Sequence, residues 1–290
     1  MRNNWDDVYQ GQEIILDALK GIEVLIFGGG TAIHRAVLSN ERRESEDIDF
    51  FIDHYCGIGE SSLHAGTIKN ALMNSEKISI LNYLITEEEK SHRFFCVCNG
   101  SDEVIKVELL DFTAGRFGDT HFISADLFPK VENAYNLILY KMKELCDRQD
   151  TIKDLYDLYF LFREHTEPIQ IKDLLMDLQL KFKGITGYDY GVIEIVKALD
   201  AKNRAWDIIE KNVFNTRSED IAKAIYDFRD ELREAFLDES VEFALSHRHY
   251  IQNKTAVYGF EITPLEYLDV VEPNPFIAAL AAEFIQHKTK

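Results

Sequence analysis

Cysteine is too scarce here to staple a fold together. The 290 residues contain four, Cys56, Cys96, Cys98 and Cys146, too few for a disulfide framework and without the C-x-x-C spacing of a zinc site. Cys96 and Cys98 sit two apart in an apolar, strand-like run and are expected as buried thiols. No apolar run approaches the roughly 18 to 20 residues of a membrane span, and Met1 to Asp7 lack the apolar stretch of a signal peptide. A cytoplasmic address with no membrane partner is expected. The nine histidines show no metal-ligand spacing, and His247-Arg248-His249 reads as a surface feature at a helix end. Basic residues are in deficit as well: 32 Lys and Arg stand against 51 Asp and Glu, a net charge of −19. Nucleic-acid binding through a broadly positive surface is thereby excluded. Local basic patches remain at Lys181-Phe182-Lys183, from Arg248 to Lys254, and at Lys288 and Lys290.

What is present is a chain with 46% hydrophobic residues, ample for one large core or two ordinary ones. Apolar positions at helical spacing over 8–20 lead into a strand at 22–27, a glycine turn, a short helix at 31–39 and a strand at 47–53. A helix near 62–73 and strands near 78–85, 92–98 and 103–112 follow, with Asn99-Gly100 marking a hairpin between the last two. From about 124 the pattern turns helical, with helices at 130–147, 151–164, 169–182, 191–213, 217–248 and 274–287. Pro168 places the expected boundary near 165. The expected architecture is an α/β (α+β) domain with a small mixed β-sheet over 1–165, then a helical bundle over 166–290.

Two short stretches carry the chemistry. Asp47 and Asp49 flank Ile48 in a β-type run. Alternate strand residues share a face, so the two carboxylates can point together while Ile48 and Phe51, with Phe50 beside them, pack inward. Paired carboxylates that leave positions for water and phosphate suit Mg²⁺ carrying a nucleoside triphosphate. Upstream, Gly28 to Gly30 let backbone approach a phosphate closely, and Thr31 can cap the following helix, whose free N–H groups attract anions. No Lys-Ser/Thr follows at the Walker offset and the run is not G-x-G-x-x-G. Downstream, Glu108 can complete a metal site, with Asp111 as the second choice. Lys106, on the same strand face, can meet phosphate or pair with Glu108. Lys141 with Glu144, and Asp154 with Asp157, are each three apart on a helical face. They can form an interhelical salt-bridge seam, or reach the cleft with Lys141 steadying the triphosphate and Asp154 or Asp157 orienting it.

G-G-T-A at 29–32, R-x-S-x-D-I-D-F at 43–50, an acid-bearing strand, and K-x-x-x-L-x-x-R-x-x-x-x-K-D-L-Y-D-L at 141–158 occur in that order. This chain resembles the AbiEii/AbiGii-type nucleotidyltransferases, a family that includes toxins of type IV toxin–antitoxin and abortive-infection systems, over residues 22 to 162. The resemblance implies a minimal nucleotidyltransferase fold in which Asp47 and Asp49 hold Mg²⁺ (or Mn²⁺) and Gly29, Gly30 and Thr31 hold phosphates. Lys141 matches the family lysine, Asp154 and Asp157 its K-D-x-x-D segment, and Ser45 its serine before the acids. The implied activity moves a nucleoside monophosphate from NTP onto tRNA or protein, with a cognate antitoxin as partner. Two departures stand out: Glu108 where the third acid is more often Asp, and less basic surface than a tRNA-acting member would show. A small-molecule acceptor, as in aminoglycoside nucleotidyltransferases, and a non-catalytic nucleotide- or protein-binding member are the alternative readings.

Overall fold

Five strands form one mixed sheet: β1 (Leu25–Gly28), β2 (Ile48–Ile52), β3 (Ile78–Thr86), β4 (Ser91–Cys98) and β5 (Val104–Leu110), in the order β1-β2-β5-β4-β3. The structure, a computed structural model, describes residues 4–38, 43–52, 61–86, 91–110, 123–148, 152–165, 168–175, 177–178, 190–202 and 221–238. Cys56, Asp111, the basic patches at 181–183 and 248–254, His247 to His249, Lys288, Lys290 and the expected helix at 274–287 lie outside those residues. Among the described residues no helix is long and apolar enough to cross a membrane.

The sheet is antiparallel except where β2 runs parallel to β5, with Ile48 opposite Val107 and Asp49 opposite Glu108. Strand alternation sorts β2 into two faces. Ile48, Phe50 and Ile52 join a core with α1 (Trp5–Leu19) and α3 (Ser61–Asn74), whereas Phe51 faces the other way. Within α1, Ile15, Leu16 and Leu19 supply the apolar stripe, and Asp6 and Asp7 sit in its first turn, where the helix dipole favours acids. The outer edge of β1 is closed by residues 130–132: Phe27 N donates to Lys130 O at 2.8 Å and Glu132 N to Phe27 O at 2.9 Å. That pairing is why the next helix begins later than its apolar pattern suggests. Asn133 caps it, accepting from Asn136 N at 2.9 Å.

The other face of the sheet meets helices. Phe51 stacks on Tyr140 with ring centroids 4.2 Å apart. Tyr140 belongs to α4 (Ala134–Asp147), which packs against α5 (Lys153–Glu164), the helical turn α6 (171–175), α7 (Val192–Ala201) and α8 (221–238) in a second core. Apolar side chains thus change partners between Val131 and Leu137, so α4 and α5 pack with the later helices, although the sequence grouped them with the sheet up to 165. Lys202, fully buried at the end of α7, donates to Arg148 O and satisfies an end carbonyl of α4.

Candidate active site

The glycine turn and the paired acids meet at one row of the sheet. Register places Gly28, Asp49, Glu108 and Arg93 side by side across β1, β2, β5 and β4. Gly28 must be glycine because a Cβ there would stand 2.1 Å from the Phe51 ring. At Gly29 the chain leaves the sheet with φ +67, a left-handed conformation that favours glycine. A Cβ at Gly29 would lie 1.9 Å from Asp49 Oδ2, so the carboxylate rests directly against the bend.

Helical structure begins at the bend itself, as α2 (Gly29–Ala32), and continues through a π-helical turn (Ile33–Val37). Thr31 is therefore inside the helix and not its cap. Its buried hydroxyl donates to Asp47 O and lies 2.9 Å from the Ser45 hydroxyl. Thr31 and Ser45 thus tie the helix to the approach of β2. Gln12 of α1, fully buried, adds a second strap, its amide donating to Ser45 O at 2.8 Å and Glu46 O at 3.2 Å. The Gly30 backbone lies against Arg43 and Ser45: a Cβ there would meet Arg43 Nη2 at 2.7 Å.

Asp47, Asp49, Lys106 and Glu108 share the face that carries Phe51. Lys106 Nζ lies 3.0 Å from Asp47 Oδ2 and 2.8 Å from Glu108 Oε2, and Arg93 Nε donates to Glu108 Oε1 at 2.7 Å. Both oxygens of Glu108, the expected third metal ligand, are therefore engaged by cations. Among the described residues no group of three or more Asp, Glu, His and Cys side chains is placed to hold a metal. Lys106, for which the sequence left two roles open, pairs with Glu108. Burial opposes its charge, but Asp47 and Glu108 raise its pKa. The same acids raise Asp49 as well, but there against its charged form: burial, then Asp47 and Glu108, push its carboxyl up to about 7. Asp47 remains 44% exposed. One exposed and one charge-crowded carboxylate on a single face fit a divalent cation, with phosphate and water completing the oxygen shell.

Lys141, Asp154 and Asp157 form a separate, buried cluster. Lys141 Nζ lies 2.6 Å from Glu144 and 3.1 Å from both Asp154 and Asp157. Its side chain is only 6% exposed, so of the two sequence expectations the salt-bridge seam is the one formed. Asp157 is fully buried and is met by three cationic or polar partners from elsewhere. Arg43 donates Nε and Nη2 to its two oxygens, each at 2.6 Å, and His34 Nε2 lies 2.7 Å from Oδ1. Burial would raise Asp157, but Arg43, Lys141 and His34 hold it well below the usual carboxylate range. Burial lowers His34 despite Asp157, and its Nδ1 accepts from Arg43 N at 3.4 Å, which leaves Nε2 to donate to Asp157. Burial pushes the Asp154 carboxyl up, whereas Glu144, opposed by burial, is held below its ordinary value by Lys141 and Arg148.

Gln12, His34 and Arg43 were not singled out from sequence as site residues, and their partners lie 33, 123 and 114 residues away respectively. Arg148 and Lys153 are further additions. Arg148 Nη2 lies 2.5 Å from Glu144 and 3.0 Å from Asp154, its side chain is half-exposed, and Asp49 is among the acids that raise it. Burial and Arg43 lower Lys153, against Glu46 and Asp47.

No curated protein matches this chain. Solved structures that match include JHP933 from Helicobacter pylori, 15% identical, with 85% of this chain and 100% of that chain covered at a TM-score of 0.49. Another, from H. pylori and described as a candidate nucleotidyltransferase, is 16% identical, with 80% and 95% covered and a TM-score of 0.49. The profile of the nucleotidyl transferase AbiEii toxin of type IV toxin–antitoxin systems matches residues 15–249, a span holding every side chain of the two clusters above. This chain belongs to the AbiEii nucleotidyl transferase toxin family.

Proposed function

We propose that the protein is a divalent-cation-dependent nucleotidyltransferase that moves a nucleoside monophosphate from NTP to a hydroxyl of tRNA or protein, and that a cognate antitoxin restrains it. The observation that carries this reading is the placement of the Asp49 carboxylate against the left-handed Gly29 bend, on the face shared with Asp47. Asp47 and Asp49 would hold Mg²⁺ or Mn²⁺. Bound there, the cation supplies Lewis-acid neutralisation of the phosphate oxygens and of the leaving pyrophosphate. The backbone of Gly29 and Gly30 lies close to the triphosphate, with Thr31 and Ser45 setting the bend against β2. Half-exposed Arg148 is a cation open to the phosphates, Lys106 steadies Asp47 and Glu108 at its side, and Lys141 acts from beneath. The acceptor hydroxyl attacks the α-phosphorus as the bond to the pyrophosphate oxygen breaks, and its proton passes to solvent. Positioning and charge neutralisation are the work this arrangement can do. As a functional unit the nucleotidyltransferase domain runs to about 165, because α4 brings Arg148 to the acids, and the helices after it form the second domain.

The test is direct. The protein is incubated with Mg²⁺, each α-labelled NTP in turn, and a cell extract, and label is followed into RNA, protein and small molecules. Label in RNA or protein supports the reading, and label in none of the three fractions with any NTP overturns it. A net charge of −19 favours a cationic small acceptor over a polyanion, so label in the small-molecule fraction, reproduced with purified aminoglycosides, would move the assignment to that class.

Two further outcomes are expected of the isolated protein. The Asp49 carboxyl, raised to about 7, favours its protonated form in the fold. Its contribution to stability is present below the unfolded value of about 4 and is lost as pH rises through 7. A cation that replaces the proton restores it. Mg²⁺ should therefore raise the melting temperature more at pH 8 than at pH 5.5, and an equal shift at both would contradict the assignment. Gly29→Ala should fold with a penalty of about 1–2 kcal/mol for the left-handed backbone and should displace Asp49. Calorimetry that finds wild-type Mg²⁺ affinity in this variant would count against the contact.

A further inference from the structure

Between Arg43 and Asp47 the chain has no strand pairing, and regular structure begins only at Ile48. Side chains hold this segment instead. Gln12 and Thr31 grip its carbonyls at Ser45, Glu46 and Asp47, and Tyr9 donates to Glu44. All of those straps come from α1 and α2. Arg43 attaches it to the helical half, and its guanidinium spans three structures at once. Nε and Nη2 fork onto Asp157 of α5, Nη1 donates to Glu44 O at 3.0 Å, and Nη2 lies against Gly30. The backbone N–H of Arg43 completes the link through His34, which bonds the same Asp157.

We propose that Arg43 is a positioning residue: its fork on Asp157 sets the 43–47 segment so that the Asp47 carboxylate lies beside Asp49. Asp157 and Lys141 then act on the site through Arg43, without touching nucleotide. This rests on reading Asp47 and Asp49 as the cation-binding pair. Two features make the fork specific. Planar guanidinium matches both carboxylate oxygens at once, which an ammonium cannot do. The Gly30 backbone occupies the space beside Nη2, so the guanidinium fixes the bend and the acid-bearing segment together.

The experiment measures Mn²⁺ binding by the full chain, using the electron paramagnetic signal of free Mn²⁺, at a temperature where circular dichroism shows each variant folded. Four proteins are compared with wild type. Arg43→Lys keeps the charge and loses the fork. Asp157→Glu keeps the charge and moves the fork, and it is read in the same way should Arg43→Lys not fold. Asp49→Asn removes a ligand. Leu72→Ala, from a fully buried site in α3 on the far side of the sheet, destabilises without touching the segment. The expected result is a loss of about 10- to 100-fold in Mn²⁺ affinity for Arg43→Lys, the scale seen when a residue supporting a metal ligand is changed, with wild-type affinity in Leu72→Ala. Wild-type affinity in folded Arg43→Lys while Asp49→Asn has lost binding would overturn the positioning role and leave the acid pair standing. Equal losses in Arg43→Lys and Leu72→Ala would reduce Arg43 to a stabilising contact and also overturn it. Wild-type binding in Asp49→Asn would remove the acid pair itself, and the proposal with it.

Discussion

Asp49→Asn is expected to lower nucleotidyl transfer by about 10²- to 10³-fold, the scale on which one strong electrostatic element is lost from a reaction site, while the protein becomes no less stable. The two halves of that expectation have one cause. Asn keeps the size of the side chain and its place in the row between Gly28 and Glu108. It removes a carboxylate whose charge is disfavoured by burial and by Asp47 and Glu108. What the fold gains from losing that repulsion, the reaction loses, because the repelled charge is what a divalent cation would answer. Transfer assayed with Mg²⁺ and a known acceptor, beside a thermal melt, tests both. Activity within tenfold of wild type, or a melting temperature several degrees lower, would contradict the account.

Asp157→Ala acts in the opposite direction. Removing that carboxylate leaves Arg43 and Lys141 buried beside each other without the group that both contact. Breaking a buried pair by deleting one partner typically costs about 3–5 kcal/mol, against a total stability of about 5–15 kcal/mol for a folded protein. Urea unfolding followed by circular dichroism should show a loss of that order, and a loss under about 1 kcal/mol would show the cluster to be dispensable. The pH dependence has a definite sign. Asp157 is held well below its ordinary value, so its contribution is complete above about pH 4 and disappears as the pH falls through the depressed pKa. Acid should thus loosen α4, α5 and the Arg43 segment together, with the variant already lacking that transition.

Much of this arrangement could be read from local pattern. The period of two in Asp47 to Phe51 placed both acids on one face, and three glycines after an apolar run marked the bend. The helical period over 130–147 and 151–164 found α4 and α5, which run over 134–147 and 153–164. Boundaries moved where a distant partner decided them: Lys130 to Glu132 pair with Phe27 and so stay outside the helix that their apolar pattern would join. The same limit governs the site. Glu108 looked like a third ligand because Lys106 and Glu108 alternate on one strand, but Arg93 reaches it from the neighbouring strand in a register that spacing alone does not specify. Lys141 fitted either a seam or a cleft until its three carboxylates and its burial were known. Arg43 stood inside the motif but lacked a visible role, since its partner is on α5.

The parallel pairing of β2 with β5 has a consequence for the order of events at birth. Asp49 finds Gly28 through a nearby antiparallel neighbour, but Lys106 and Glu108 arrive on the last strand of the sheet, after α3, β3 and β4 have been made. Contacts with so large a sequence separation form late and slowly, because a long loop must close before any bond rewards it. A nascent chain halted before Val104 would therefore carry the whole glycine and aspartate motif with no neighbour to face it. The pocket starts to form when β5 docks and is complete only when α5 supplies Asp157 to Arg43, not when the residues that advertise it leave the ribosome.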